Sequence, residues 1–167
     1  MSSHKEDLEF MEIISSILEN ENFNKIKGYE HHGITRFDHS LKVSYYSYKI
    51  AKKLGLNYDE VARGGLLHDF FYSPDERDTK ERLLSTFSHP KKAVITAKDN
   101  FQLSAKEEDM IRAHMFPVNV AVPKYLESWV VNLVDKSVAI GEVVSLLKSK
   151  MSYAYNLSAI LLFSMIK

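Results

Sequence analysis

Apolar residues recur every three or four positions along most of the chain, which is the period of an amphipathic helix and not the alternation of a strand. Only six glycines and four prolines interrupt this pattern in 167 residues. The spacing predicts an all-α protein whose main helices are Leu8–Glu19, Arg36–Leu54, Tyr58–Phe71, His89–Asn100, Ser104–Met115 and Lys124–Leu147. We expect an irregular connection over Asn20–Thr35 and a loop over Ser73–Arg82.

Several predicted helix ends carry local capping residues. Asn57 and Ser104 each stand three residues before a glutamate, which is the spacing of a capping box. Gly55 is suited to end the second helix, since glycine readily adopts the left-handed conformation found after helix ends. Ser88 is suited to cap the fourth helix, with Pro90 in the first turn, where proline is tolerated.

Small residues on two neighbouring helices indicate close packing. Gly64 and Gly65 lie within the third predicted helix, where each glycine destabilises the helix by about 1 kcal/mol relative to alanine. A small-residue face on the second helix, which could approach the two glycines closely, is a physical reason for their presence. That face consists of Ser40, Ser44, Ser47 and Ala51.

The last predicted helix is apolar on most sides, so we expect it to be central. No linker or repeat is evident, and we predict a single domain over residues 1–167.

Composition excludes several classes of function. Lys plus Arg and Asp plus Glu number 22 each, so no net basic field is present to bind a nucleic acid polymer. Cysteine is absent, which leaves any metal chemistry to histidine and carboxylate.

The polar N-terminus lacks the apolar core of a signal peptide, so we expect a cytoplasmic protein. The apolar segment Leu157–Ile166 is too short to cross a bilayer and is expected to be a packing helix or part of a homodimer interface.

Ionisable residues in apolar surroundings are the candidate functional groups. They are His39, His68, Asp69, His89, His114 and Asp135, and apart from the adjacent pair each belongs to a different predicted helix. A single helical histidine is more often a surface or satisfied core residue than a ligand, and Asp135 alone could pair with a lysine. Buried ionisable groups are unfavourable unless they are paired or bound to metal. Their number therefore indicates one shared site.

These residues resemble the HD superfamily of metal-dependent phosphohydrolases, whose pattern is a histidine, a His-Asp pair about one helix later, and a distal aspartate. The pattern is present as His39 in RFDHSLKVS, His68 and Asp69 in RGGLLHDFF, and Asp135 in NLVDKS. The resemblance covers about residues 31–145 and implies an HD-type helical bundle with a metal site between central helices. No GYP motif follows, so the HD-GYP phosphodiesterase type is not supported.

Two further histidines stand where two-metal members of the superfamily have additional ligands: His89 in SHP and His114 in IRAHM. The resemblance then implies two divalent ions (Fe, Mn, Co, Ni, Zn or Mg), which together activate a water that attacks phosphorus. It assigns His39, His68 and Asp135 to one ion and His89 and His114 to the other, with Asp69 bridging. A site with one ion, which would need only the four signature residues, is the alternative.

A phosphorylated substrate also needs cationic contacts from the protein. Arg36 lies one turn before His39, and Lys136 directly follows Asp135, so we predict that both contact a small phosphorylated substrate. Alternatively, Arg36 is a surface residue and Lys136 is a structural partner of a carboxylate. Arg63 and His32 are weaker candidates.

Three functional hypotheses follow. The leading one is a phosphohydrolase that cleaves a phosphoester or phosphoanhydride of a small, nucleotide-type substrate. The contexts of the two additional histidines also resemble the bacterial symmetrical diadenosine tetraphosphate hydrolases. The second hypothesis is a non-catalytic HD domain that binds a metal and a nucleotide or other regulatory ligand. The third is a helical interaction module that binds no metal.

Overall fold

The computed structural model describes the backbone of residues 2–31, 34–72 and 79–165, and the side chains of residues 4–29, 34–72 and 88–153. The helices in these ranges are α1 (Ser2–Leu18), α2 (Glu21–Asn24), α3 (Arg36–Lys53), α4 (Tyr58–Leu67), α5 (Thr79–Asn100), α6 (Ala105–Ala113) and α7 (Leu126–Met165). A 3₁₀ turn (Lys25–Gly28) and a short antiparallel pair, β1 (Glu30–His31) and β2 (Ile34–Thr35), complete the connection between α2 and α3. The all-α prediction is confirmed.

Three of the four predicted helix caps are present, whereas the predicted cap Ser88 lies inside α5 and caps no helix. The side chain of Asn57 accepts a hydrogen bond from the backbone N–H of Glu60 at the start of α4. Ser104 and Glu107 form a complete capping box at the start of α6, because each side chain bonds to the backbone N–H of the other residue. Gly55 follows α3 with a φ of +68°, in the left-handed region that favours glycine. These local contacts fix where α4 and α6 begin.

Helices α3 and α4 approach closely at Gly65, as predicted. A Cβ atom added at Gly65 would lie 3.0 Å from the Cα atom of Ser44. The Ser44 hydroxyl donates a hydrogen bond of 2.6 Å to the backbone carbonyl of Ala62 across the same interface. A Cβ atom added at Gly64 would instead lie 2.7 Å from Sδ of Met110 in α6. The two glycines thus let α4 pack against two different helices.

Two buried apolar clusters hold the helices together. The first joins α1 to α4 and the end of α5, and includes Phe10, Ile14, Phe23, Leu66, Phe70 and Ala97. The second joins α3, α4, α6 and α7, and includes Val43, Val61, Met110, Val131 and Val134. Helices α3 to α7, which contribute to these clusters, carry the candidate ligands or lie directly before them.

Two predicted helix boundaries are wrong near the candidate site. Helix α4 ends at Leu67 and not at Phe71, so the His-Asp pair lies just beyond the helix. Helix α5 begins at Thr79 and not at His89, and Pro90 lies inside it. A proline removes one helical hydrogen bond, but the following half of α5 is anchored in the core by Ala93 and Ala97. The predicted loop was thus wrong from Thr79 onward, and its residues 73–78 lie outside the described residues.

Helix α7 is longer and more exposed than predicted. It extends over 40 residues, and its first half packs through Val130, Val131 and Val134. Large apolar side chains on its other faces are 58% (Leu133), 65% (Ile140), 54% (Leu147) and 72% (Met151) exposed. A central helix would be covered on most sides, so the prediction is wrong for the faces of α7 that carry these exposed side chains. An apolar pattern does not show which side of a helix a neighbouring helix covers.

The expected contact segment Leu157–Ile166 lies outside the side chains that the structure describes. Among the described residues, we find no helix with both the length and the apolar character needed to span a bilayer.

Candidate metal centre

The structure brings the six predicted ligand residues together in one buried cluster. His39 lies in the first turns of α3, His68 and Asp69 directly follow α4, and His114 directly follows α6. His89 comes from α5 and Asp135 from α7. All six side chains are buried, so their polar atoms face one another and not bulk water.

Three of these residues form a first group of donor atoms. Oδ1 of Asp135 lies 3.0 Å from Nε2 of His39 and 3.5 Å from Nε2 of His68. All three atoms lie within 4.8 Å of one another, which is close enough for one ion to contact them all. Nε2 of His68 is buried and makes no hydrogen bond of normal geometry among the described residues. Such an atom needs a partner, and a cation would supply one.

The other three residues form a second group. Nε2 of His89 and Nε2 of His114 lie 2.9 Å apart, and Oδ1 of Asp69 lies 3.4 Å and 3.5 Å from them. The second carboxylate oxygen of Asp69, Oδ2, lies 3.7 Å from Nε2 of His68. Asp69 therefore stands between the two groups, with one oxygen facing each.

Two of the histidines are oriented by the ends of their own helices. Nδ1 of His68 donates to the carbonyl of Gly65, and Nδ1 of His114 donates to the carbonyl of Ile111, each at 2.8 Å. The last carbonyls of a helix have no partner within the helix and are available as acceptors. Because a carbonyl can only accept, each ring carries its hydrogen on Nδ1 and can direct an Nε2 lone pair into the cluster.

His39 is oriented by Glu142, a residue that sequence reasoning missed. Nδ1 of His39 lies 2.9 Å from Oε2 of Glu142, and Nζ of Lys42 lies 3.1 Å from Oε1 of the same carboxylate. Glu142 follows Asp135 by seven residues on α7, which places both on the same helix face. That spacing is the one signal in the sequence that could have identified it.

The charges in the cluster are strongly coupled. Burial opposes the charged form of His68, but the negative charges of Asp69 and Asp135 overcome it and raise its pKa to about 9. Burial, together with the charge of His68, lowers the pKa of His114 to about 3. Burial would raise the pKa of Asp135, yet contacts with His39 and His68 hold it well below its usual range. Two carboxylates thus attract positive charge into a space lined by imidazoles.

Arg36 contacts Phe71, which packs against the second group. Its guanidinium donates a hydrogen bond of 2.6 Å to the carbonyl of Phe71 and lies 3.8 Å from the centroid of the Phe71 ring. The Phe71 ring in turn stacks on His89 at 5.2 Å, with an interplanar angle of 24°. Arg36 is therefore linked to the cluster through Phe71 and His89.

Lys136 contacts the backbone behind His114. Its Nζ donates to the carbonyl of His114 at 2.9 Å and to that of Asn132 at 3.4 Å. Burial lowers the pKa of Lys136, although the nearby charge of Asp135 opposes this effect. The weaker candidate Arg63 forms an ion pair with Glu107 at 2.6 Å, and His32 lies outside the described residues.

The all-α bundle encloses four imidazoles and two carboxylates. These donors, without thiolate, match hard and borderline metals, so the fold and site define a helical domain suited to divalent cations.

A comparison with protein families identifies the family: the HD domain model matches residues 36–140, and the chain belongs to the HD domain family. HD domains bind divalent metals and are typical of metal-dependent phosphohydrolases. Comparisons with curated proteins and with solved structures gave no significant match.

Proposed function

We propose that the protein is a metal-dependent phosphohydrolase that cleaves a phosphoester or phosphoanhydride bond in a small, nucleotide-type substrate. The observation that carries this proposal is the position of Asp69, whose two oxygens face two separate sets of imidazole nitrogens. A carboxylate in this position can contact two cations at once. A site for a single structural ion would not need this arrangement.

The six residues have distinct roles in this proposal. His39, His68 and Asp135 hold one divalent ion, His89 and His114 hold the other, and Asp69 contacts both. When bound, the ions lower the pKa of a coordinated water and polarise the phosphoryl oxygens. The buried surroundings of the six side chains limit access of bulk water and strengthen each electrostatic contact.

Two cationic residues are assigned to the substrate side of the site. Lys136 contacts two neutral carbonyl oxygens, which do not cancel its charge, and it directly follows Asp135 in the chain. We assign it to binding of a substrate phosphate. Arg36 is assigned to the same site through Phe71, because its contacts hold the ring that stacks on His89.

The test uses the full chain, stripped of metal and then reloaded with Mn²⁺, Fe²⁺ or Co²⁺. Elemental analysis of each sample accompanies a substrate panel of phosphomonoesters, nucleotides, cyclic nucleotides and dinucleoside polyphosphates. We expect metal-dependent cleavage of at least one class. The Asp69→Asn variant should lose activity by more than the roughly 10–100-fold effect of replacing an outer partner of a metal ligand.

Glu127→Gln is the matched control, because Glu127 is also a buried acid and pairs with Lys106, on α6. It should retain both metal and activity. Wild-type protein that retains metal but cleaves nothing in the panel would refute catalysis and favour the regulatory ligand-binding alternative. Wild-type protein that takes up no metal would refute both functions.

A further inference from the structure

The histidines of the cluster reach their orientation in two different ways. His68 and His114 follow the last residues of α4 and α6 and donate to carbonyls three residues earlier. His39 is the fourth residue of α3, at the opposite end of a helix. In the first turns of a helix the carbonyls take part in the helix's own hydrogen bonds, and the unpaired backbone groups are N–H donors. His39 therefore needs an acceptor from outside its own helix.

Glu142 supplies that acceptor. It is a buried carboxylate on α7, 103 positions away in the chain, and its Oε2 lies 2.9 Å from Nδ1 of His39. The ammonium of Lys42, one turn after His39, holds the second oxygen of the same carboxylate. Asp135, on the same face of α7, approaches the other ring nitrogen at 3.0 Å. One helix thus contacts both nitrogens of the imidazole.

We propose that Glu142 is a positioning residue for the metal centre, an inference that rests on the proposed metal-dependent function. By accepting the Nδ1 hydrogen, its carboxylate keeps the Nε2 lone pair of His39 directed at the first donor group, and its charge makes the ring a stronger ligand. Glu142 lies beyond the residues 36–140 that match the family, so the family match does not assign it this role.

The test measures binding of Co²⁺ to the metal-free full chain by calorimetry and by its visible absorption spectrum. Glu142→Gln keeps the size of the side chain but removes its charge, and its amide NH₂ can turn toward Nδ1. We expect the affinity for Co²⁺ to fall by about 10–100-fold, with an altered spectrum. Glu127→Gln, on the same helix and also paired with a lysine, should bind Co²⁺ like the wild type.

A purely structural role predicts a different outcome. If Glu142 served only as the partner of Lys42 in an ion pair between α3 and α7, Lys42→Met would weaken Co²⁺ binding as much as Glu142→Gln. That result would overturn the inference, as would a Glu142→Gln variant with wild-type affinity. A smaller effect of Lys42→Met supports it.

A measurement on the wild type remains informative if the Glu142 variant does not fold. In Zn²⁺-loaded protein labelled with ¹⁵N, His39 should show a protonated Nδ1 and a metal-bound Nε2. The opposite arrangement would overturn the inference. Failure of the wild type to bind Co²⁺ or Zn²⁺ would instead refute the proposed function itself, so the two failures are distinguishable.

Discussion

A Gly65→Ala substitution tests the close approach of α3 and α4 that positions His39 beside His68. The added Cβ atom would lie 3.0 Å from the backbone Cα atom of Ser44, whereas carbon atoms pack best at about 3.5–4.0 Å. The contact is with main chain, so it cannot be relieved by rotating a side chain. The two helices must separate by a few tenths of an ångström.

The expected change in the free energy of unfolding combines two terms. Overpacking of this kind destabilises a protein by about 1–3 kcal/mol, whereas alanine favours the helix by about 1 kcal/mol over glycine. Gly141→Ala isolates the second term, because Gly141 is also helical and a Cβ atom there would meet nothing within 4 Å. Relative to Gly141→Ala, Gly65→Ala should therefore be less stable by about 1–3 kcal/mol.

Denaturant unfolding of the metal-free proteins measures this difference without a contribution from ligand binding. In thermal unfolding, each kcal/mol corresponds to a shift in Tm of about 2–4 °C for a chain of this size. The carbonyl of Gly65 also accepts the Nδ1 hydrogen of His68, so the affinity for metal should fall in the same variant. If Gly65→Ala were as stable as Gly141→Ala, the interface would not be as tight as the structure indicates.

Two further predictions concern the site. Lys136→Ala should raise KM for the phosphorylated substrate on the order of 10-fold or more, because a charge-assisted hydrogen bond is lost, while metal content measured by elemental analysis stays unchanged. Metal binding to the metal-free protein at pH 7 should release a proton from His68, whose pKa is raised to about 9. The apparent affinity for metal should therefore increase with pH until the pH reaches about 9. Calorimetry in buffers of different ionisation enthalpy measures this release.

A specific experimental result would contradict each of these two predictions. Loss of metal from Lys136→Ala would show that the contact with the carbonyl of His114 is the main role of this lysine. His114, with a pKa lowered to about 3, is already neutral at pH 7 and should contribute no proton. Metal binding with no proton release at pH 7 would show that His68 is neutral in the metal-free protein.

The features that could be predicted from the sequence are those set by neighbouring residues. The caps at Asn57 and Ser104 act over three residues, so their partners are visible in the local sequence. The six candidate ligands could be identified because an ionisable group within an apolar helix needs compensation, and the structure brings these side chains together. That they hold metal remains a proposal.

The features that could not be predicted depend on tertiary packing. The passage of α5 through Pro90 depends on core contacts of its second half, which the sequence around the proline does not reveal. The exposure of Ile140 and Leu147 depends on which faces of α7 other helices cover, and the apolar pattern does not reveal those faces. Glu142 resembles an ordinary surface glutamate until α7 brings it against His39.

The C-terminal ends of α4 and α6 contribute to the electrostatic field at the candidate metal centre. Both helices point their C-termini at the cluster, through His68 and His114, and a helix C-terminus carries a partial charge of about −0.5. This field adds to the negative charges of Asp69 and Asp135, whereas the protonated His68 and the N-terminus of α3 oppose it in part. Under the proposed function, we therefore expect divalent cations to bind to this cluster before a phosphorylated substrate, because they offset negative charge that opposes the phosphate.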